Sequence, residues 1–180
     1  FQVRLQECEC QDGPHTTEQL SWIALEVGHW TLDGGLEIEA GTFSTNQTSW
    51  GWQNLSYQKS FSGTPVISST LNTYNGGNTT DTWHHNVGSS NASFSMQECH
   101  HEGHTTEKIG YVVAKQGDGA HHGQKWFVGK TGRSVNHNWT TINYPSSYSK
   151  APSVVVDFQT QYGGNNCVPR TTGRNSSSFQ

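Results

Sequence analysis

Asp12-Gly13-Pro14-His15-Thr16-Thr17-Glu18 leads into Trp22-Ile23-Ala24-Leu25-Glu26-Val27-Gly28, and the pattern returns as Glu102-Gly103-His104-Thr105-Thr106-Glu107 leading into Tyr111-Val112-Val113-Ala114-Lys115-Gln116-Gly117. His15, Glu18 and Gly28 each recur 89 positions later, and just upstream Leu5-Gln6-Glu7-Cys8 corresponds to Met96-Gln97-Glu98-Cys99 at an offset of 91. A second set, Trp52, Tyr57, Phe61, Pro65 and Leu71, recurs at an offset of 87 as Trp139, Tyr144, Tyr148, Pro152 and Phe158, with Gly76-Gly77-Asn78 falling on Gly163-Gly164-Asn165. Two unrelated segments that agree on nearly one period define a duplicated unit of about 90 residues.

The phase of the repeat carries further information. The Trp-to-Pro segment (52 to 65) precedes the Glu-Cys-to-Gly segment (98 to 117), which makes residues 29–117 one complete unit. Residues 118–180 form the first part of a second unit, and its closing piece has the form of residues 1–28. Phe1-Gln2 matches Phe179-Gln180, so the last two residues read as the first two of another cycle. The expectation is that residues 1–28 complete a sandwich whose other half resembles 118–180, in the same or a neighbouring copy. A chain that starts in mid-strand reads as a processed product or a piece of something longer.

Composition sets the compartment. Charged residues make up only 13% of the chain, about half the usual share, which is unlike a typical cytosolic domain. Seven Trp, seven Phe and six Tyr nevertheless supply the bulk for two cores, so the chain is not of disordered composition. A net charge of −4 with ten scattered Lys and Arg leaves no footprint for a phosphate backbone, so nucleic acid is not an expected partner. No apolar run approaches the roughly 20 residues of a membrane span.

The cysteines Cys8, Cys10, Cys99 and Cys167 lack the paired spacing of a zinc ribbon and fit disulfides in an oxidising compartment, with Cys10 to Cys167 the favoured pair. Sequons at Asn46, Asn54, Asn78, Asn91, Asn138 and Asn175 offer N-linked glycan sites, the plainer reading being a polar β-surface. Both readings place the chain outside the cell or on its surface.

No window carries apolar residues at helical spacing for three turns. Alternation dominates instead: Phe1, Val3 and Leu5 share one side, as do Phe94 and Met96. Pro152-Ser153-Val154-Val155-Val156 and Gly110-Tyr111-Val112-Val113-Ala114 read as core strands. The fold class is all-β, two tandem antiparallel β-sandwiches.

Trp52-x2-Leu55-x-Tyr57-x3-Phe61-x3-Pro65-Val66-Ile67, followed by Phe94-x-Met96-x-Glu98, resembles the core of the H-type lectin domain. The resemblance covers residues 29–117, and again 126–180 with 1–28. It implies a six-stranded antiparallel β-sandwich of the kind that binds sugars and often forms trimers. The version it is most similar to occurs in several copies within large secreted microbial proteins, where an Asp-Gly-x-His-Thr-x-Glu hairpin follows the domain.

The best chemical constellation is Glu7, Asp12, His15 and Glu18, matched by Glu98, His101, His104 and Glu107. Carboxylates and imidazoles on both sides of a tight turn offer ligands for a structural Ca²⁺ or a transition metal. The plainer reading is hydrogen bonding within the hairpin, with no cofactor required. His84-His85 and His121-His122 read as solvated loop histidines, because neighbours on a strand point to opposite faces. Trp52, matched by Trp139, reads as core, while the unmatched Trp50 and Trp83 are candidates for stacking on a sugar ring. No nucleophile elbow and no reactive-cysteine context is present, so catalysis is not expected.

Two functions follow. The first is an extracellular structural or adhesive repeat protein whose partners are copies of itself, joined head to tail into a filament by strand complementation or tandem repetition. The alternative is a carbohydrate-binding lectin whose partners are glycans.

Overall fold

Strands with one apolar face are stable only when that face is covered, so the outcome in this chain depends on which strands find partners. The structure, a computed structural model, describes residues 1–3, 17, 20, 22–48, 51–98, 103–164 and 167–180. Among these the chain is all-β, with antiparallel ladders and no helix. No helix there is long and apolar enough to cross a membrane.

Residues 28–114 contribute β1 (Gly28–Thr31), β2 (Glu37–Thr45), β3 (Gln53–Ser56), β4 (Val66–Leu71), β5 (Thr80–His85), β6 (Asn91–Glu98) and β7 (Glu107–Ala114). These are seven strands where the lectin resemblance implies six. They form a four-stranded sheet ordered β1-β2-β7-β4 and a three-stranded sheet ordered β3-β6-β5. Each sheet has a central strand whose alternate residues are fully apolar: Ala92, Phe94 and Met96 on β6, and Ile109, Tyr111 and Val113 on β7. Ala92, Tyr111 and Val113 cluster with Leu55, Tyr57, Phe61 and Ile67, Phe94, Met96 and Ile109 form a second cluster, and Phe43 packs against both. Phe43 of β2 meets Phe94 edge to face at 4.9 Å, a favoured geometry for aromatic pairs.

Beyond Ala114 the chain forms a tight hairpin of β8 (Gly117–His121) and β9 (Gln124–Val128), then a short ladder between β10 (Ile142–Asn143) and β11 (Ser178–Phe179). The 87-residue offset recurs here bond by bond. Tyr57 N donates to Ser90 O at 2.9 Å and Phe61 N to Ser89 O at 2.8 Å; Tyr144 N donates to Ser177 O at 2.9 Å and Tyr148 N to Ser176 O at 2.8 Å. Leu55 pairs with Ala92 as Ile142 pairs with Phe179. The edge-to-face pair Tyr57–Phe61 at 5.6 Å is matched by Tyr144–Tyr148 at 5.0 Å.

The correspondence stops where β4 and β7 should have equivalents. Residues 152–156, expected as a core strand, form none, and Val155 is 61% exposed. The reason is the sheet order: β4 is an edge strand that pairs only with β7, and residues 22–26, which match part of β7, form no strand. Phe1 and Val3 are likewise exposed and outside any strand, while Leu5 lies outside the described residues.

Candidate functional site

The repeated His-Thr-x-Glu hairpin builds a buried polar lock in its second copy. Glu98 ends β6, Glu107 begins β7, and the connection between them places the His104 ring between the two carboxylates. His104 Nδ1 lies 2.5 Å from Glu98 Oε1 and its Nε2 lies 3.2 Å from Glu107 Oε1. Glu98 and Glu107 are each only 1% exposed. Glu107 also accepts hydrogen bonds from the Thr73 hydroxyl and from the amides of Asn75 at 2.7 Å and Gly76 at 2.9 Å. Burial pushes the Glu107 carboxyl upward, but these donors together with His104 outweigh it and hold the group below its ordinary value. Gly76 is required by close approach: a Cβ there would lie 2.4 Å from His104 Cε1.

Of the residues expected to ligate one cation, Glu98, His104 and Glu107 are therefore brought together, but with a carboxylate at each ring nitrogen. Both nitrogens are turned to acceptors, which leaves neither lone pair aimed at a shared ion. Glu7, Asp12, His15, Glu18 and His101 lie outside the described residues.

A second lock of the same kind was not legible in the sequence. His29 on β1 lies 3.1 Å from Glu37 and 3.2 Å from Glu39 through its two nitrogens. Glu39, fully buried, also accepts from Tyr111 Oη at 3.0 Å and from the amides of Gln58 at 2.8 Å and Lys59 at 3.4 Å. Burial, then the hydrogen bond to Glu39 and its charge, push the Tyr111 hydroxyl up to about 12. The available signal was the run Glu37-Ile38-Glu39-Ala40, which puts two acids on one face of a strand.

His84 corrects the reading of a solvated loop histidine. It is fully buried on β5, accepts from the Ser69 hydroxyl at 2.8 Å through Nε2 and donates to the Phe158 carbonyl at 2.8 Å through Nδ1. Burial lowers its pKa to about 4. The neighbouring residues use side chains to cap the free edge of β4: Asp157 accepts from Ser69 N at 2.9 Å, while Gln159 accepts from Ile67 N at 3.0 Å and donates to Ile67 O at 2.6 Å. An edge strand is thereby covered without a ladder.

Trp83 corrects the sugar-stacking expectation. It is 3% exposed and lies against a cavity of about 90 Å³ shared with Phe158, Gln161 and Tyr162, so its ring offers no free face. Trp50 lies outside the described residues. Trp52 is half-buried against His85, whereas its counterpart Trp139 is 63% exposed and does not pack as core. Cys167 is exposed and free of any disulfide to a described residue, while Cys8, Cys10 and Cys99 lie outside the described set. Asn46, Asn54, Asn91, Asn138 and Asn175 are exposed and Asn78 is half-buried. Asn175 has a turn-closing role as well, accepting from the amides of Ser177 and Ser178 at 2.8 and 2.9 Å.

The second half of the chain contains an unfilled space. A cavity of about 380 Å³ lies between the β8–β9 hairpin and residues 145–148, lined by Trp126, Phe127, Pro145 and Tyr148 among others. In residues 28–114 the matching aromatics Tyr57 and Phe61 pack on Tyr111 and Val113 of β7. The β7-like stretch of the chain is meanwhile solvated: Leu20, Trp22, Ile23, Leu25 and Val27 are all exposed, Trp22 by 69%.

These features define an antiparallel all-β chain with a repeated motif, closed in one copy and open in the next. No protein-family model matches it, and no solved structure matches it. The chain is similar to halomucin from Haloquadratum walsbyi (strain DSM 16790 / HBSQ001), 31% identical over an alignment of 154 residues that covers 82% of this chain. It spans about 2% of that relative's length.

Proposed function

We propose that this chain is a non-catalytic extracellular structural or adhesive repeat. Its two tandem β-sandwich units join head to tail, the open second unit receiving a strand of the form 18–25 from a neighbouring copy or repeat. The observation that carries this reading is the exposure of Leu20 and Trp22, which match the buried Ile109 and Tyr111 of β7, in a chain that also holds an unfilled cavity beside Tyr148, the counterpart of Phe61. An exposed apolar segment and an unpaired sheet edge are complementary surfaces, and strand addition satisfies both at once.

The similarity to halomucin, a relative of which the aligned stretch is about 2%, supports the extracellular assignment. The exposed sequons at Asn46, Asn54, Asn91 and Asn138 fit the same setting. Sedimentation velocity on the purified 19.9 kDa chain tests the reading. Concentration-dependent head-to-tail oligomers are expected. A compact monomer at all concentrations, with residues 1–28 folded back on 118–180, would sink it.

A further inference from the structure

We infer that Asp33, His121 and His122 form a binding site for a divalent transition-metal ion, Zn²⁺ being the best match, that ties the β1–β2 loop to the turn of the β8–β9 hairpin. The carboxylate and the two imidazoles each place a ligand atom within 4.8 Å of the others. His121 Nδ1 lies 3.5 Å from Asp33 Oδ2. In a tetrahedral site with bonds of about 2.0–2.1 Å, neighbouring ligand atoms stand roughly 3.4 Å apart, so this pair already spans one edge of such a site. Two imidazoles and one carboxylate suit zinc and the later first-row ions better than calcium, and they leave a fourth position for water.

The backbone builds this arrangement. His122 leaves the strand in the left-handed region at φ 46°, followed by Gly123 at φ 76°, a tight turn of the kind that joins two-residue hairpins. The turn overrides strand alternation, and the two adjacent rings come to 4.2 Å centroid to centroid instead of facing apart. On the other side, the 32–36 loop is closed by Leu32 N donating to Leu36 O at 2.8 Å and Gly35 N to Leu32 O at 3.0 Å. Gly34 presses this loop on β8 so closely that a Cβ would sit 2.4 Å from Ala120 O. Asp33 is thus carried to the histidine pair by a backbone contact between the two hairpins.

The His121 Nδ1 atom gives the independent pointer to a ligand. It is screened from solvent and has no hydrogen-bond partner among the described residues, although it faces a carboxylate. The side chains of His121 and Asp33 are 37% and 74% exposed, so the pair is open to an incoming ion, and an ion placed between them would give the screened nitrogen a partner. His29, His84 and His104, by contrast, have both ring nitrogens in hydrogen bonds and are poor competitors for the ion.

Calorimetric titration of the full chain with ZnCl₂ at neutral pH tests the site, against Asp33→Asn, His121→Ala, His122→Ala and the control Cys167→Ser. One zinc per chain should be lost or weakened roughly tenfold or more in each of the first three variants, and retained in the control. Circular dichroism should show the same fold in all of them. Zinc should also slow amide exchange at residues 33–35 and 119–123 in the unaltered chain. Equal zinc uptake by the unaltered chain and a His121→Ala/His122→Ala double variant, or no uptake by either, overturns the site. Zinc uptake without slowed exchange overturns the tie between the hairpins.

Discussion

Residues 28–114 and residues 117–180 share sequence landmarks and several of the same hydrogen bonds, yet among the described residues only the first set encloses a core. The difference lies in one strand. In the first set β7 is hydrogen-bonded on both sides, to β2 and β4, and drives Ile109, Tyr111 and Val113 into the interior. In the second, the hairpin and the β10–β11 ladder are in place, but the β4 counterpart is irregular and a cavity of about 380 Å³ stands beside Tyr148. A central strand thus organises its neighbours in a way that an edge strand cannot, because removing it takes away two ladders and one face of the core.

The largest effect is expected from removing the side chain that would repair the open unit. Trp22 corresponds to Tyr111, and Trp22→Ala should weaken self-association by about 3–5 kcal/mol, the usual cost of truncating a large aromatic at a packed site. That amounts to two orders of magnitude or more in the association constant. Thermal unfolding of residues 28–114 should be unchanged, because Trp22 is solvated in the isolated chain. Sedimentation velocity and calorimetry on the same variant separate the two effects. Loss of the closed unit's stability with association intact would reverse the roles given to the two halves.

The next effect concerns the lock inside the closed unit. His104→Ala leaves Glu98 and Glu107 buried and facing one another without the ring between them, which should cost about 3–5 kcal/mol in a denaturant titration. Gly76→Ala tests the same geometry from the other side, since the added methyl must displace the ring. The lowered Glu107 pKa fixes the sign with pH: its contribution is present above the ordinary carboxylate range and is lost as pH falls through the lowered value. A His104→Ala protein as stable as the unaltered chain would reduce the lock to incidental contacts.

These two regions also show how far the sequence could be read. The repeat offsets named corresponding residues in the two halves, some of which make matching hydrogen bonds, and the His-Thr-x-Glu motif pointed to Glu98, His101, His104 and Glu107, of which Glu98, His104 and Glu107 meet. Residues 152–156 were misread because three valines carry the same β propensity whether or not a partner strand exists, and pairing is a non-local property. His29 with Glu39, His84 with Asp157, and Asp33 with His121 were invisible for a related reason: each depends on a register or a loop contact that alternation does not encode. The adjacent-histidine rule failed at His121-His122 only because the second residue sits in a turn with positive φ.

His84 supplies a smaller test, in which the closed unit and the segment capping it are coupled by pH. Its folded-state pKa is lowered from the ordinary 6.5 to about 4, so between those values the unfolded chain binds a proton that the folded one does not. Stability therefore rises with pH across that window, by about 2–3 kcal/mol from this group. Asp81 and Asp157, pushed up to about 6 by burial, act in the opposite sense, since the folded chain holds their protons longer as pH rises. The difference between the unaltered chain and His84→Gln isolates the histidine. On acidification from pH 6.5 to 4 the unaltered chain should lose more stability than the variant, and parallel curves in urea titrations would refute the buried neutral ring.

The smallest expected effect is at Cys167, and its smallness is informative. The residue is exposed and unpaired to any described residue, at the position where the open unit would have its β5 counterpart. Burial by its immediate neighbours, then the charge of Asp81, raise its thiol pKa, so alkylation at neutral pH should be slow but complete. Cys167→Ser should shift the stability of the isolated chain by no more than about 0.5 kcal/mol, as for other exposed positions. A disulfide to Cys10 would cost about 2–5 kcal/mol to remove. If the substitution is silent in the monomer but lowers the stability of assembled material, the bond forms only after a neighbouring copy supplies its 1–28 segment. If it is costly in the monomer, residues 1–28 are already tied to the open unit of their own chain, and closure by a second copy is ruled out.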